Sequence, residues 1–187
     1  MKKTVVAFVC VLVSCLALSG CALLPLLSSK SSESTLQVNQ PVTLDFSIKD
    51  KDGNDVNLAD YKGKKIYINV WATWCGPCLR EIPELEEVYQ EYKDKEDYVF
   101  LSITSPDDAE FGNTNPADVS KEEILAKAEE LGIHYPVLFD SQNQAKDNFG
   151  LAAFPTHIFI NSDGTLKLVF AGQVQKNKLV ELLEEMQ

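Results

Sequence analysis

Two cysteines separated by two residues, within Trp74-Cys75-Gly76-Pro77-Cys78, constrain this chain more than any other stretch. The run before them, 66–71, is mostly apolar and rich in β-formers, which is typical of a buried strand. After them, apolar residues recur at three- and four-residue spacing, which predicts an amphipathic helix over 76–92. The cysteine pair therefore lies where a strand turns into a helix.

This placement favours redox chemistry. Unpaired N–H groups and the positive end of the helix dipole stabilise a thiolate at Cys75, the predicted nucleophile. Cys78 lies nearly one turn further along the apolar face, close enough to form a disulfide and to resolve a mixed disulfide. Gly76 allows a close turn into the helix, and Pro77 is tolerated in the first turn. We expect no cofactor beyond the Cys75–Cys78 disulfide.

Half of a structural zinc site is the alternative explanation for such a pair. Zinc needs four ligands, typically a second cysteine pair or two closely spaced histidines. The sequence has no second pair, and its only histidines, His134 and His157, are far apart. We therefore expect no metal. The net charge of −11 also argues against nucleic acid as a partner.

Residues 1–20 have the parts of an export signal: two lysines, an apolar run from Thr4 to Leu18, and two small residues. The run is too short and wrongly flanked for a membrane-spanning helix. The sequence from Leu18 to Cys21 resembles the bacterial lipobox, in which the cysteine is diacylated and becomes the first mature residue. An ordinary signal peptide with a coincidental cysteine is the alternative.

The other cysteines fit this interpretation. Cys10 and Cys15 fall within the predicted signal, so Cys75 and Cys78 are the thiols left for the exported domain. A disulfide between them closes too small a loop to stabilise the fold much, which favours a redox role. Residues 21–39, Ser-rich and free of aromatic residues, are expected to form a flexible, lipid-anchored linker. The folded domain would then span 40–187.

Within this domain, short apolar runs alternate with amphipathic ones. Apolar and polar residues alternate at 42–48 and again at 56–58, on either side of an Asp52-Gly53 turn, which predicts a β-hairpin. Strands at 66–71 and 99–103 flank the first helix, so a parallel βαβ unit is expected. The remaining predicted elements are a polar loop over 104–119, a helix over 120–131, a strand over 135–139, a short helix over 143–149, a hairpin over 154–170 and a closing helix that contains Leu179 and Leu183.

With these residues in place, the chain resembles the TlpA/ResA branch of the thioredoxin superfamily, whose members are extracytoplasmic, membrane-tethered thiol-disulfide oxidoreductases. The similarity covers about residues 41–187 and is carried by 69–78, Glu81, Pro83 and 154–156. It implies a thioredoxin fold, in which a central mixed β-sheet is flanked by helices, here with an N-terminal β-hairpin.

The resemblance also implies roles for residues around the cysteines. Pro155 would be a cis-proline that faces the disulfide and offers backbone groups to an extended partner peptide, with Trp74, Gly76 and Pro77 as further support. A plain strand-initiating proline is the alternative for Pro155.

Glu81 matches an acidic residue that this branch carries beneath its cysteines. Because Asn69 stands where thioredoxin has a buried aspartate, Glu81 would take the proton of Cys78 as that thiol attacks. A solvated carboxylate that favours the helix dipole is the alternative.

The dipeptide between the cysteines is that of thioredoxin, which favours a reductant. The family obtains electrons from a membrane thiol carrier of the CcdA/DsbD kind. Its clients include apocytochrome c, a methionine sulfoxide reductase and misoxidised proteins. The expected protein is a monomer, lipid-anchored outside the bacterial cell membrane.

Three rival functions differ in testable ways. A disulfide-forming oxidase would use the same cysteines at a much higher reduction potential. A peroxiredoxin-like peroxidase would carry a threonine where this chain has Ala72. A solute-binding lipoprotein, which belongs to a different class, would keep its function after a Cys75→Ser substitution.

Overall fold

The strand that leads into the cysteines, β3 (Lys65–Val70), is buried from Ile66 onward, because strands are hydrogen-bonded to both of its edges. It runs parallel to β4 (Tyr98–Thr104) and antiparallel to β6 (Thr156–Ile160). Helix α1 (Gly76–Tyr92) connects β3 to β4, which confirms the predicted βαβ unit.

Seven strands form one mixed sheet in the order β2-β1-β5-β4-β3-β6-β7. Its remaining strands are β1 (Ser47–Lys49), β2 (Asp55–Asn57), β5 (Val137–Phe139) and β7 (Leu166–Ala171). The central mixed sheet confirms the expected thioredoxin fold.

Side chains of β3 alternate between the two faces of the sheet, as period-two geometry requires. Ile66, Ile68 and Val70 pack with the hairpin and with α3 (Gln144–Phe149). Tyr67 packs on the opposite face, against α1 and α4 (Lys176–Glu184). Residues of β3 and β6 that share Tyr67's face therefore lie beneath the helix that carries the cysteines.

The predicted hairpin is present but shorter than expected. Its strands are limited to β1 and β2, and Leu58 begins a 3₁₀ helix (Leu58–Tyr61) instead of continuing the second strand. The Asn57 side chain accepts a hydrogen bond from the Ala59 N–H at 2.9 Å and so caps that helix. The strand therefore ends at Asn57.

The segment 104–119 corrects one prediction. It contains a 3₁₀ helix (Ala109–Phe111), and Phe111 packs in the same apolar cluster as both cysteines. After it, α2 (Lys121–Glu130) begins at the predicted capping box, in which the Ser120 side chain accepts from Glu123 N–H and donates to its carboxylate. The segment is thus a packed part of the domain as well as a surface loop.

The computed structural model describes residues 41–187. The predicted signal peptide, Cys21 and the Ser-rich linker lie outside this range. Within 41–187, no helix is long and apolar enough to cross a membrane.

Candidate active site

Cys75 and Cys78 form a disulfide at the start of α1, with their Cα atoms 5.3 Å apart. Cys75 is the N-cap residue of the helix, and its Sγ accepts a hydrogen bond from the Cys78 N–H at 3.2 Å. A helix N-cap presents free N–H groups and a positive dipole end, so this position favours a thiolate at Cys75 when the disulfide is reduced. Both sulfurs belong to one buried apolar cluster with Trp71 and Ile82.

The surface beside the disulfide carries an exposed aromatic side chain. Trp74 is 64% exposed, and its ring meets the edge of Phe154 at 5.8 Å. Phe154 also packs against the apolar cluster that holds both cysteines, and the Phe154–Pro155 peptide bond is cis. The exposed Trp74 side chain therefore offers an apolar contact surface beside the disulfide.

Two hydrogen-bonded contacts join the cysteine loop to the segment 104–119. Asp118, only 8% exposed, accepts hydrogen bonds from the backbone N–H and the hydroxyl of Thr73. The indole N–H of Trp74 donates to the Ala117 carbonyl at 2.6 Å. The segment therefore holds the residues that precede Cys75 in place.

The two residues between the cysteines differ in how the structure constrains them. Pro77 occupies the first turn of α1, where its missing N–H costs no helical hydrogen bond. At Gly76 an added Cβ would meet only the Arg80 guanidinium, at 3.5 Å, and φ is not positive. Neither crowding nor backbone conformation therefore requires a glycine at that position.

Glu81 is 1% exposed, so its interpretation as a solvated carboxylate is wrong. It lies one turn after Cys78 on the buried face of α1, where side chains three residues apart are neighbours. Its Oε2 accepts a hydrogen bond from the Val174 N–H at 3.0 Å. Its Oε1 forms no hydrogen bond to the described residues, but lies 3.5 Å from His157 Nε2. A buried carboxylate oxygen that accepts no hydrogen bond from the described residues is suited to accept a proton.

A row of buried polar side chains continues from Glu81 into the sheet. His157 of β6 is 0% exposed, and its Nε2 lies 3.1 Å from the Gly172 carbonyl oxygen. Its Nδ1 lies 2.8 Å from the Tyr67 hydroxyl of β3. Asn69, also fully buried, lies directly opposite His157 in the sheet. Polar groups thus extend from the helix carrying the cysteines into the sheet.

Burial raises the pKa of Tyr67 and of Tyr135 well above the ordinary value of 10.0. Above pH 10 the unfolded chain loses these protons while the folded chain keeps them, so stability present below pH 10 is lost as the pH rises. We expect the free energy of unfolding to fall by about 1.4 kcal/mol per pH unit for each tyrosine. Urea unfolding at several pH values above 10 measures this slope. Tyr67→Phe should reduce it, and an unchanged slope in that variant would contradict the assignment.

Sequence reasoning missed three contributors to this site. His157 was considered only as a zinc ligand, and Tyr67 and Asp118 were not singled out. The signals were weak: Tyr67 and Asn69 alternate with the apolar residues of a buried strand, and His157 follows the Pro155-Thr156 pair.

Among the described residues, no group of three metal-ligating side chains forms a metal site.

Comparison with known proteins identifies the family. The Redoxin family model matches residues 37–184. The thiol-disulfide oxidoreductase ResA of Geobacillus thermodenitrificans is 31% identical over 140 residues, which cover 75% of this chain and 73% of ResA. The thioredoxin-like protein YneN of Bacillus subtilis is also 31% identical, over 75% of each chain.

Solved structures agree with these relatives. The exposed lipoprotein thioredoxin Etrx1 of Streptococcus pneumoniae is 32% identical, with a TM-score of 0.61, and the match covers 76% of this chain and 99% of that one. A thiol:disulfide interchange protein DsbE of Chlorobium tepidum, 24% identical, shares the fold with a TM-score of 0.65 over 80% of this chain and 96% of its own.

A dithiol pair at a helix N-terminus, next to a cis-proline on a mixed sheet, defines a thiol-disulfide oxidoreductase of thioredoxin fold. The chain belongs to the Redoxin family.

Proposed function

We propose that this protein is an extracytoplasmic reductant that transfers two electrons from the Cys75–Cys78 dithiol to disulfides of exported proteins. The observation that carries the proposal is the arrangement around the dithiol: Cys75 caps a helix, and Glu81 is buried one turn beyond Cys78 with one oxygen that accepts no hydrogen bond from the described residues. It supports the proposal because a helix N-cap favours a thiolate and a buried carboxylate can accept the second thiol's proton.

The first step joins enzyme and client. The Cys75 thiolate attacks one sulfur of the client disulfide, which forms a Cys75–client disulfide and releases one client thiolate. In this proposal the client chain lies in extended form beside Trp74 and the loop before Pro155, because Trp74 exposes apolar surface next to the disulfide.

The second step releases the client. Cys78 gives its proton to Glu81 and attacks the Cys75 sulfur, so the Cys75–Cys78 disulfide forms and the second client thiolate leaves. Glu81 returns the proton when the disulfide is next reduced. The electrons for that reduction would come from a thiol carrier of the CcdA/DsbD kind, and apocytochrome c or a methionine sulfoxide reductase are the proposed clients.

Membrane attachment is part of the same proposal. Residues 1–20 would be removed as a lipoprotein signal, Cys21 would carry the lipid, and 21–39 would tether the domain 40–187 as a monomer. The likeness to Etrx1, described as an exposed lipoprotein, supports this arrangement.

The equilibrium reduction potential of the Cys75–Cys78 pair tests the direction of electron flow. We expect a value near or below that of thioredoxin, about −270 mV, in glutathione and dithiothreitol buffers. A Glu81→Gln variant tests the proton acceptor separately, by rate: it should slow client reduction without unfolding the protein. A potential above about −180 mV would contradict a reductant and favour a disulfide-forming oxidase.

A further inference from the structure

The two oxygens of Glu81 have different surroundings. Oε2 is occupied by the Val174 N–H, whereas Oε1 is buried without a hydrogen bond to the described residues. The nitrogen at 3.5 Å from Oε1 is His157 Nε2. Whether Nε2 carries a hydrogen therefore decides whether Oε1 faces a positive N–H group or a lone pair.

The neighbours of His157 determine where that hydrogen lies. The Gly172 carbonyl oxygen, 3.1 Å from Nε2, only accepts hydrogen bonds, so Nε2 must be the donor. On the other side of the ring, the Tyr67 hydroxyl lies 2.8 Å from Nδ1. Because Tyr67 stays protonated in its buried position, its hydroxyl can donate to the lone pair of Nδ1. Both neighbours thus favour the tautomer with hydrogen on Nε2.

In this tautomer Nε2–H is donated to the Gly172 carbonyl, and its positive end lies beside Oε1, which is 3.5 Å from Nε2 and accepts no hydrogen bond from it. That positive end favours a negative charge on Oε1 over a proton there. The titratable side chains that face Glu81 are Cys78 on its own helix, His157 on β6, Tyr67 on β3 and Tyr135 ahead of β5. None of these is a fixed cation, so the orientation of the His157 N–H matters for the charge on Glu81.

We propose that His157 is a positioning residue that favours Glu81 as the acceptor of the Cys78 proton, by holding the positive end of Nε2–H beside Oε1 in a tautomer selected by Tyr67 and the Gly172 carbonyl. The inference rests on the proposed role of Glu81 as proton acceptor. His157 does not itself exchange a proton with Cys78. It makes the protonated form of Glu81 less favourable.

The pH dependence of mixed-disulfide resolution tests this role. Mixing the reduced full chain with Ellman's reagent, with Cys10, Cys15 and Cys21 replaced by Ser in every sample, releases one thionitrobenzoate as Cys75 is modified and a second as Cys78 attacks. We call the low-pH part of the plot of the second release rate against pH its acid limb. In His157→Leu, which lacks the N–H, the midpoint of this acid limb should move up by about one pH unit, so the second release becomes roughly tenfold slower at low pH. His157→Gln, which supplies an amide N–H, should restore release to within about twofold of the wild type.

Two outcomes would overturn the proposal. One is a His157→Leu protein that is slower at every pH with an unmoved acid limb, which is the behaviour of a purely structural residue. The other is a Gln variant no better than Leu. A Glu81→Gln control separates the two proposals, because an acid limb at the same pH and with the same rate as in the wild type shows that Glu81 is not the acceptor.

A measurement on the unmodified side chain does not depend on how the variants fold. Nitrogen-15 chemical shifts of the His157 ring distinguish the two neutral tautomers and the imidazolium. We expect hydrogen on Nε2 at about pH 8, where an ordinary histidine is neutral. Hydrogen on Nδ1 alone at this pH would overturn the proposal.

Discussion

The Cys78→Ser protein is expected to retain its client as a covalent adduct, whereas the Cys75→Ser protein forms no adduct and loses client reduction by a thousandfold or more, on the order of other nucleophile removals. The reason is that the two cysteines have different roles: Cys75 attacks the client, and Cys78 resolves the mixed disulfide. Cys75 caps α1, a position that favours a thiolate, whereas Cys78 lies within the helix; both are buried, at 3% and 0% exposure. Without Cys78, the Cys75–client disulfide has no internal thiol to resolve it.

Non-reducing electrophoresis followed by mass spectrometry of the linked peptide measures this adduct. Cys10, Cys15 and Cys21 are replaced by Ser in every sample, and the control also has Ser at positions 75 and 78, so it keeps the exposed Trp74 but offers no thiol. An adduct that forms equally in the Cys75→Ser protein would show that Cys78 can act as the nucleophile and would contradict the assignment.

The fold around the cysteines could be predicted because its signals are local. Apolar periodicity predicted β3, α1 and β4, and the Ser120 capping box marked the start of α2. The hairpin lengths could not be predicted, since the second strand ends where the Asn57 side chain caps a 3₁₀ helix. The packing of Phe111 could not be predicted either, because segment 104–119 is mostly polar and one buried aromatic side chain does not create a periodic pattern.

The candidate site was predictable only where its residues are close in sequence. The two cysteines and Glu81 lie within seven residues along one helix, so their spacing places them together. By contrast, the Tyr67 hydroxyl and the His157 ring are 90 residues apart, and their contact depends on the β3–β6 register. Strand register is fixed by packing across the whole sheet, which a single strand's sequence does not reveal.

Asp118→Ala is expected to destabilise the protein by about 2–3 kcal/mol and to slow client reduction. The Asp118 carboxylate accepts from the Thr73 N–H, the Thr73 hydroxyl and the Val119 N–H. Removing it leaves these donors unpaired at a largely buried position, which costs more than the net value of the hydrogen bonds themselves. Because Thr73 precedes Trp74 and Cys75, the loss should also loosen the loop that presents the nucleophile.

Urea unfolding of the oxidised protein measures the free energy of unfolding, and reduction of a disulfide peptide measures the rate of client reduction. Asp107→Ala is the matched control: it removes the same charge from an exposed position in the same segment, so both quantities should stay near the wild type. Asp118→Asn should be intermediate, since its amide oxygen accepts from some of the three donors but carries no charge. If Asp118→Ala and Asp107→Ala lose equal stability, net charge is the cause. The contact between Asp118 and Thr73 then does not hold the cysteine loop in place.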